Sequence, residues 1–127
     1  MNNPTVLLVD DDAAVRRVTR RLLERAGYAV VEAESGEQAL GRFASGGIDL
    51  VLTDLDMPGL GGVELIRSLL RRCPGLGFVI YSGSPDQDLP PGWRFVAKPY
   101  AAEELLDRLR EAGGKPKLPS AGGRAGP

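Results

Sequence analysis

The chain has 127 residues, with 16 basic and 17 acidic side chains, a net charge of −1, one cysteine and no histidine. That length suits one domain burying roughly two thirds of its unfolded surface, without room for a second catalytic or DNA-binding unit. Balanced charge gives no field for nucleic acid or an anionic membrane, and the missing histidine removes Ser-His-Asp and Cys-His catalysis, most zinc sites and a histidine phosphodonor.

Cys73, standing alone at a predicted helix end, excludes a disulfide framework and a CxxC site. No apolar run approaches the ~18 residues that span a bilayer, and the polar start MNNPT does not read as a signal peptide, so a cytoplasmic location is expected.

The first apolar run, TVLLV (5–9), is short and continuous, as in a strand covered on both faces. Asp12 then caps a helix whose apolar face is predicted to be Val15, Val18, Leu22 and Ala26, with Gly27 as its stop. YAVVEA (28–33) reads as a second strand, and SGEQALGRFASGG (35–47) as a helix opened by Ser35 and closed by Gly46-Gly47. IDLVLT (48–53) is a third strand, followed by a helix over 62–73 ended by Pro74-Gly75. GFVIY (77–81) and RFVA (94–97) are the fourth and fifth strands, and 101–113 is the last helix.

Strands that alternate with helices imply an α/β three-layer domain with a parallel sheet, over residues 1–112. The tail 113–127 is rich in Gly and Pro, lacks apolar period and is expected to be disordered. Between strands four and five lies only SGSPDQDLPPGW (82–93), whose three prolines cannot hold a full crossover helix. Leu89, Pro90, Pro91 and Trp93 are expected to cover the sheet in its place.

In a parallel sheet, residues just after each strand gather on one edge, where ligands bind. Here they are Asp10, Asp11 and Asp12, then Asp54, Ser82 and Lys98. If strands one and three are neighbours, Asp10, Asp11 and Asp54 crowd together, and a hard divalent cation such as Mg²⁺ relieves the like-charge conflict. A lysine and a serine beside them supply donors for phosphoryl oxygens. Asp54 can then act as a nucleophile toward phosphorus.

As a set, LLVDDD, LTDLDMPG, IYSGS and FVAKPY resemble a response regulator receiver domain of two-component signalling, the CheY-like family, over about residues 5–112. The resemblance implies a five-stranded parallel sheet in the order 2-1-3-4-5, the flavodoxin/CheY-like arrangement, with helix four shortened or missing. It makes Asp54 the phosphoacceptor, Asp11 a direct Mg²⁺ ligand, Asp10 a ligand acting mostly through water, and the Asp56 backbone carbonyl the third protein ligand. Ser82, Gly83 and Lys98 become the phosphoryl-binding residues, Ser82 and Phe95 the switch pair, and Lys98-Pro99 the peptide that is usually cis. Asp56 and Ser84 fall where the family tunes the lifetime of the acyl phosphate.

The implied partner is a histidine kinase or histidine phosphotransfer protein, docked on the first helix beside Arg16, Arg17, Arg20, Arg21 and Arg25. No nucleic-acid or membrane binding is expected. The protein is expected to be a monomer or weak dimer, since the shortened crossover removes much of the face many receivers use to dimerise. It would catalyse its own phosphorylation and dephosphorylation rather than the turnover of a separate substrate.

Gly61-Gly62 departs from the family's Asp-Gly, replacing a side-chain N-cap by glycine at a cost of a few tenths of a kcal/mol. Two other function classes fit parts of the pattern. One is a degenerate receiver that binds partners without phosphorylation. The other is a haloacid-dehalogenase-like phosphatase with Asp54 as nucleophile and Asp56 as general acid/base, although that family carries its motif on the first strand.

Overall fold

The computed structural model describes residues 3–83 and 89–113. Five strands, β1 (Thr5–Val9), β2 (Ala29–Ala33), β3 (Leu50–Asp54), β4 (Gly77–Ser82) and β5 (Phe95–Ala97), form one parallel sheet in the order β2-β1-β3-β4-β5. The four helices found among the described residues are α1 (Ala13–Arg25), α2 (Gly36–Ala44), α3 (Gly62–Arg72) and α4 (Ala102–Glu111). None of them is long and apolar enough to cross a membrane.

Side chains alternate across each strand, so one sequence run feeds two cores. Val6, Leu8, Leu50, Leu52, Val79, Tyr81 and Val96 face the layer of α1 and α4, joined by Leu23, Leu105 and Leu109. Leu7, Val9, Val51 and Ile80 face the other layer, joined by Ala39, Leu65, Ile66 and Leu69. This explains why β1, β3 and β4 look continuously apolar in the sequence.

Asp12 caps α1 as expected, its carboxylate accepting from the Ala14 and Val15 amides at 3.0 and 3.2 Å. The predicted inner face of that helix needs correction. Thr19 and Leu23 are its buried residues, with Val15, Leu22 and Ala26 packed partly against the core, while Val18 is 62% exposed. At 100° per residue Val18 lies about a quarter turn off this stripe. The polar Thr19 can replace it inside because its hydroxyl meets the Tyr100 hydroxyl at 2.6 Å.

The third strand begins two residues later than the sequence pattern suggests and includes Asp54, which pairs in register with Tyr81. Gly61 is the N-cap of α3 and offers no side-chain bond. Gly62 has a steric role: a Cβ there would lie 2.4 Å from the Asp54 carbonyl oxygen, so the helix can approach the end of β3 only with glycine.

No helix occurs among the described residues between β4 and β5; residues 84–88, on which part of the shortened-helix expectation falls, lie outside them, as does the tail 114–127. Leu89 and Trp93 pack against the α2/α3-side core. The Trp93 ring stands edge-on to Phe78 with centroids 4.9 Å apart, and the Arg67 guanidinium lies 5.9 Å from its centre. Pro91 is exposed and takes no part in this cover, whereas Pro90 accepts from the Trp93 amide at 3.3 Å.

Candidate metal and phosphoryl site

Parallel strands deliver their last residues to one edge, and the pairing of β1 with β3 and of β3 with β4 fixes which residues meet there. Asp10 follows β1 and is fully buried; Asp54 ends β3 at 7% exposure; Ser82 ends β4 and is fully buried. Asp11 is exposed beside them. Carboxylate oxygens of Asp10, Asp11 and Asp54 all lie within 4.8 Å of one another.

Lys98 follows β5 and its amide donates to the Ser82 carbonyl at 2.8 Å, which brings its side chain over the acids. Its ammonium is 3.2 Å from Asp10 Oδ2 and 3.4 Å from Asp54 Oδ1. The Lys98-Pro99 peptide is cis. The Ser82 hydroxyl donates to Asp56 Oδ2 at 3.3 Å, and Asp56 and Gly83 are both exposed at the rim. Phe95 sits at the start of β5, half-buried on the α2/α3 side of the sheet. Ser84 lies outside the described residues.

Burial pushes the Asp54 carboxyl up to about 6; the Lys98 charge pulls against this, Asp10 adds to it, and hydrogen bonds from Lys98 and the Asp56 backbone oppose it. Three hard oxygen donors of like charge, one exposed to solvent, match what Mg²⁺ takes, since that ion keeps several waters and binds through few carboxylates. The residues present therefore fit such an ion.

Two arginines of α1 are paired with acids, Arg16 half-buried and Arg20 at the surface. Arg16 donates to Glu32 Oε1 at 2.8 Å and to the Asp10 carbonyl at 2.6 Å, and Arg20 pairs with Glu24 and Glu32. Burial would raise the Glu32 carboxyl, but bonds from Arg16 and Arg20 outweigh it and hold the group below its ordinary value. Arg17, Arg21 and Arg25 are exposed. Beside them Ala14, Val15 and Val18 form an apolar groove with Pro99 and Tyr100, next to Lys98.

Sequence reasoning passed over Tyr81. Its hydroxyl donates to Asp10 Oδ2 at 2.6 Å, and Lys98 Nζ stands 4.4 Å from the centre of its ring. A tyrosine at the buried end of an apolar strand is the signal that could have revealed it, because a buried hydroxyl ordinarily finds a partner.

A model of the response regulator receiver domain matches residues 6–110. The C4-dicarboxylate transport transcriptional regulatory protein DctD of Rhizobium meliloti is 34% identical over 91% of this chain, which spans only 26% of that protein. The response regulator receiver protein CpdR of Brucella abortus is 32% identical, over 84% of this chain and 93% of its own length. Among solved structures, a response regulator receiver domain protein from Clostridium thermocellum superposes with a TM-score of 0.80 at 28% identity, covering 86% of this chain and 93% of that one. These likenesses set aside the phosphatase alternative on Asp54 and Asp56.

Proposed function

We propose that this chain, which belongs to the response regulator receiver family, accepts a phosphoryl group from a phosphohistidine onto Asp54 and later loses it to water or passes it on. The observation that carries this reading is the convergence of the Asp10, Asp11 and Asp54 oxygens within 4.8 Å, beneath the Lys98 ammonium.

An Asp54 carboxylate oxygen attacks phosphorus in line with the donor imidazole. The new O–P bond forms as the P–N bond breaks, and the imidazole nitrogen keeps that electron pair. Lys98, already 3.4 Å from Asp54, turns to an oxygen of the arriving group. Ser82 gives up its bond to Asp56 and donates to a second oxygen, and the Gly83 backbone leaves open space beside it. Mg²⁺ held by Asp11, Asp54, the Asp56 carbonyl and, through water, Asp10 would neutralise charge on the transferring group. Release reverses the logic: water attacks phosphorus, the O–P bond breaks, and Asp54 recovers its carboxylate. The domain thus catalyses its own modification and has no separate substrate to turn over.

Donor access supports a helical partner, a histidine kinase or phosphotransfer protein. The groove of Val15, Val18 and Tyr100 lies beside Lys98, and Arg17 and Arg21 are exposed on the same helix. Arg16 and Arg20, both bound to Glu32, tie α1 to β2, Arg20 from an exposed position.

Intact-mass measurement after incubation with acetyl phosphate and Mg²⁺ tests the proposal. One added phosphoryl unit, absent in Asp54→Asn and without Mg²⁺, is expected. No addition in the folded protein would instead make it a receiver that binds partners without chemistry.

A further inference from the structure

Tyr81 touches the acidic pocket through its side chain, and the phosphoryl chemistry above does not use it. It is fully buried on the α1/α4 side of the sheet, whereas Phe95 lies on the α2/α3 side. Asp10, also fully buried, is held at both of its oxygens: Oδ1 accepts from the Asp12 amide at 2.9 Å, and Oδ2 from Tyr81 at 2.6 Å and Lys98 at 3.2 Å. Of the two donors on Oδ2, only Lys98 is needed elsewhere. When it turns to a phosphoryl oxygen, Asp10 is left with Tyr81 as the sole side-chain donor among these contacts.

We propose that Tyr81 is a positioning residue whose hydroxyl fixes the Asp10 carboxylate toward the metal pocket while Lys98 is engaged with the phosphoryl group. This rests on the reading of Asp10, Asp11 and Asp54 as a Mg²⁺ pocket. A hydroxyl–carboxylate bond of this length is about twice as strong as a neutral one, and a buried carboxylate stripped of it bears the full desolvation penalty. A phenol is protonated at neutral pH, so the Tyr81 hydroxyl is the donor in this bond. On the α1 side the buried Thr19 is tied to Tyr100 at 2.6 Å, and the Tyr100 ring stands 6.1 Å from that of Tyr81.

The same core holds an internal control. Tyr28 is also buried, and its hydroxyl has no hydrogen-bond partner among the described residues. Removing that oxygen deletes the same atom from the same fold without touching the pocket.

The test compares Mg²⁺ dissociation constants, from amide shifts on titration with Mg²⁺ alone, for wild type, Tyr81→Phe, Tyr28→Phe, Asp10→Asn and the Tyr81→Phe/Asp10→Asn double variant, with thermal melts alongside. Tyr81→Phe should weaken Mg²⁺ about tenfold, the low end for an outer-shell partner. Tyr28→Phe should leave it unchanged, and in the Asp10→Asn background Tyr81→Phe should cost less than about twofold, because the group it acts through is gone. Unchanged or tighter Mg²⁺ binding by Tyr81→Phe, or an equal loss in the Asp10→Asn background, overturns the role assigned to Tyr81 alone. A folded wild type that takes up no Mg²⁺ overturns the pocket itself.

Discussion

The two sides of β3 are built on different terms. On one side, β1 and β2 are joined through full helices, and their edge carries Asp10, Asp11 and the paired arginines of α1. On the other, β4 runs to β5 through a short link that closes over the sheet with Leu89 and Trp93. Yet both sides send residues to the same site, because Ser82 and Lys98 sit at strand ends and not on the link. The proposed phosphoacceptor chemistry therefore depends on strand order and strand termini, and none of its proposed reacting groups lies on the described part of the link between β4 and β5. A face that relays the signal through that layer would have less helix to work with than a face built on α1.

Asp54→Asn gives the largest effect: phosphoryl acceptance should be abolished while the fold survives, since the amide keeps the shape of the carboxylate. If label were still accepted, the nucleophile would lie elsewhere and the strand-end account would fail.

Trp93→Ala probes the opposite side. It should cost about 2 kcal/mol in denaturant unfolding, less than a fully buried Trp because the residue is only partly buried, yet leave the rate with acetyl phosphate within about twofold. Loss of chemistry in a protein that still folds would show that the link is not separable from the site.

Val18→Glu should slow transfer from a phosphorylated helical donor by about tenfold, a 1.4 kcal/mol effect of placing a charge in the apolar groove that the donor would cover, and spare acetyl phosphate. Equal slowing with both donors would remove the groove from the docking account.

Asp54 also gives the metal-free protein a pH signature. Its folded value of about 6 lies above the ordinary 3.8, so the neutral form stabilises the fold fully below 3.8, and that contribution is lost as pH rises through about 6. Melting curves from about pH 4 to about pH 7 should show wild type losing stability relative to Asp54→Asn, and saturating Mg²⁺ should close the gap. A constant difference across this range would mean that Asp54 is not crowded as described.

The smallest effect sharpens the role of the glycine pair. Gly61→Asp should stabilise by a few tenths of a kcal/mol, because a Cβ there has 3.6 Å to its nearest neighbour and the new carboxylate can cap α3. Gly62→Ala should destabilise instead, since its Cβ would press on the Asp54 carbonyl.

The sequence made the sheet legible where burial on both faces leaves no alternation to misread, as in Leu7–Leu8 and Val51–Leu52, and the acids stood out because each ends such a run. That no helix stands among the described residues between β4 and β5 agrees with the prolines there, whose effect is local. Helix faces were harder: Thr19 is polar and buried, and only its tertiary contact with Tyr100 justifies that, so the pattern favoured Val18 instead. Tyr81 was hard to read for the same reason. In sequence it is one more core residue, and only the distance to Asp10 separates it from Tyr28.

The most direct test of the central claim is where the phosphoryl group lands. Borohydride reduction of the acetyl-phosphate-treated protein converts an aspartyl phosphate to homoserine, and peptide mass mapping should find that change at residue 54 only, dependent on Mg²⁺. Conversion at Asp10, Asp11 or Asp56 instead, or none in a protein that has bound the metal, would contradict it.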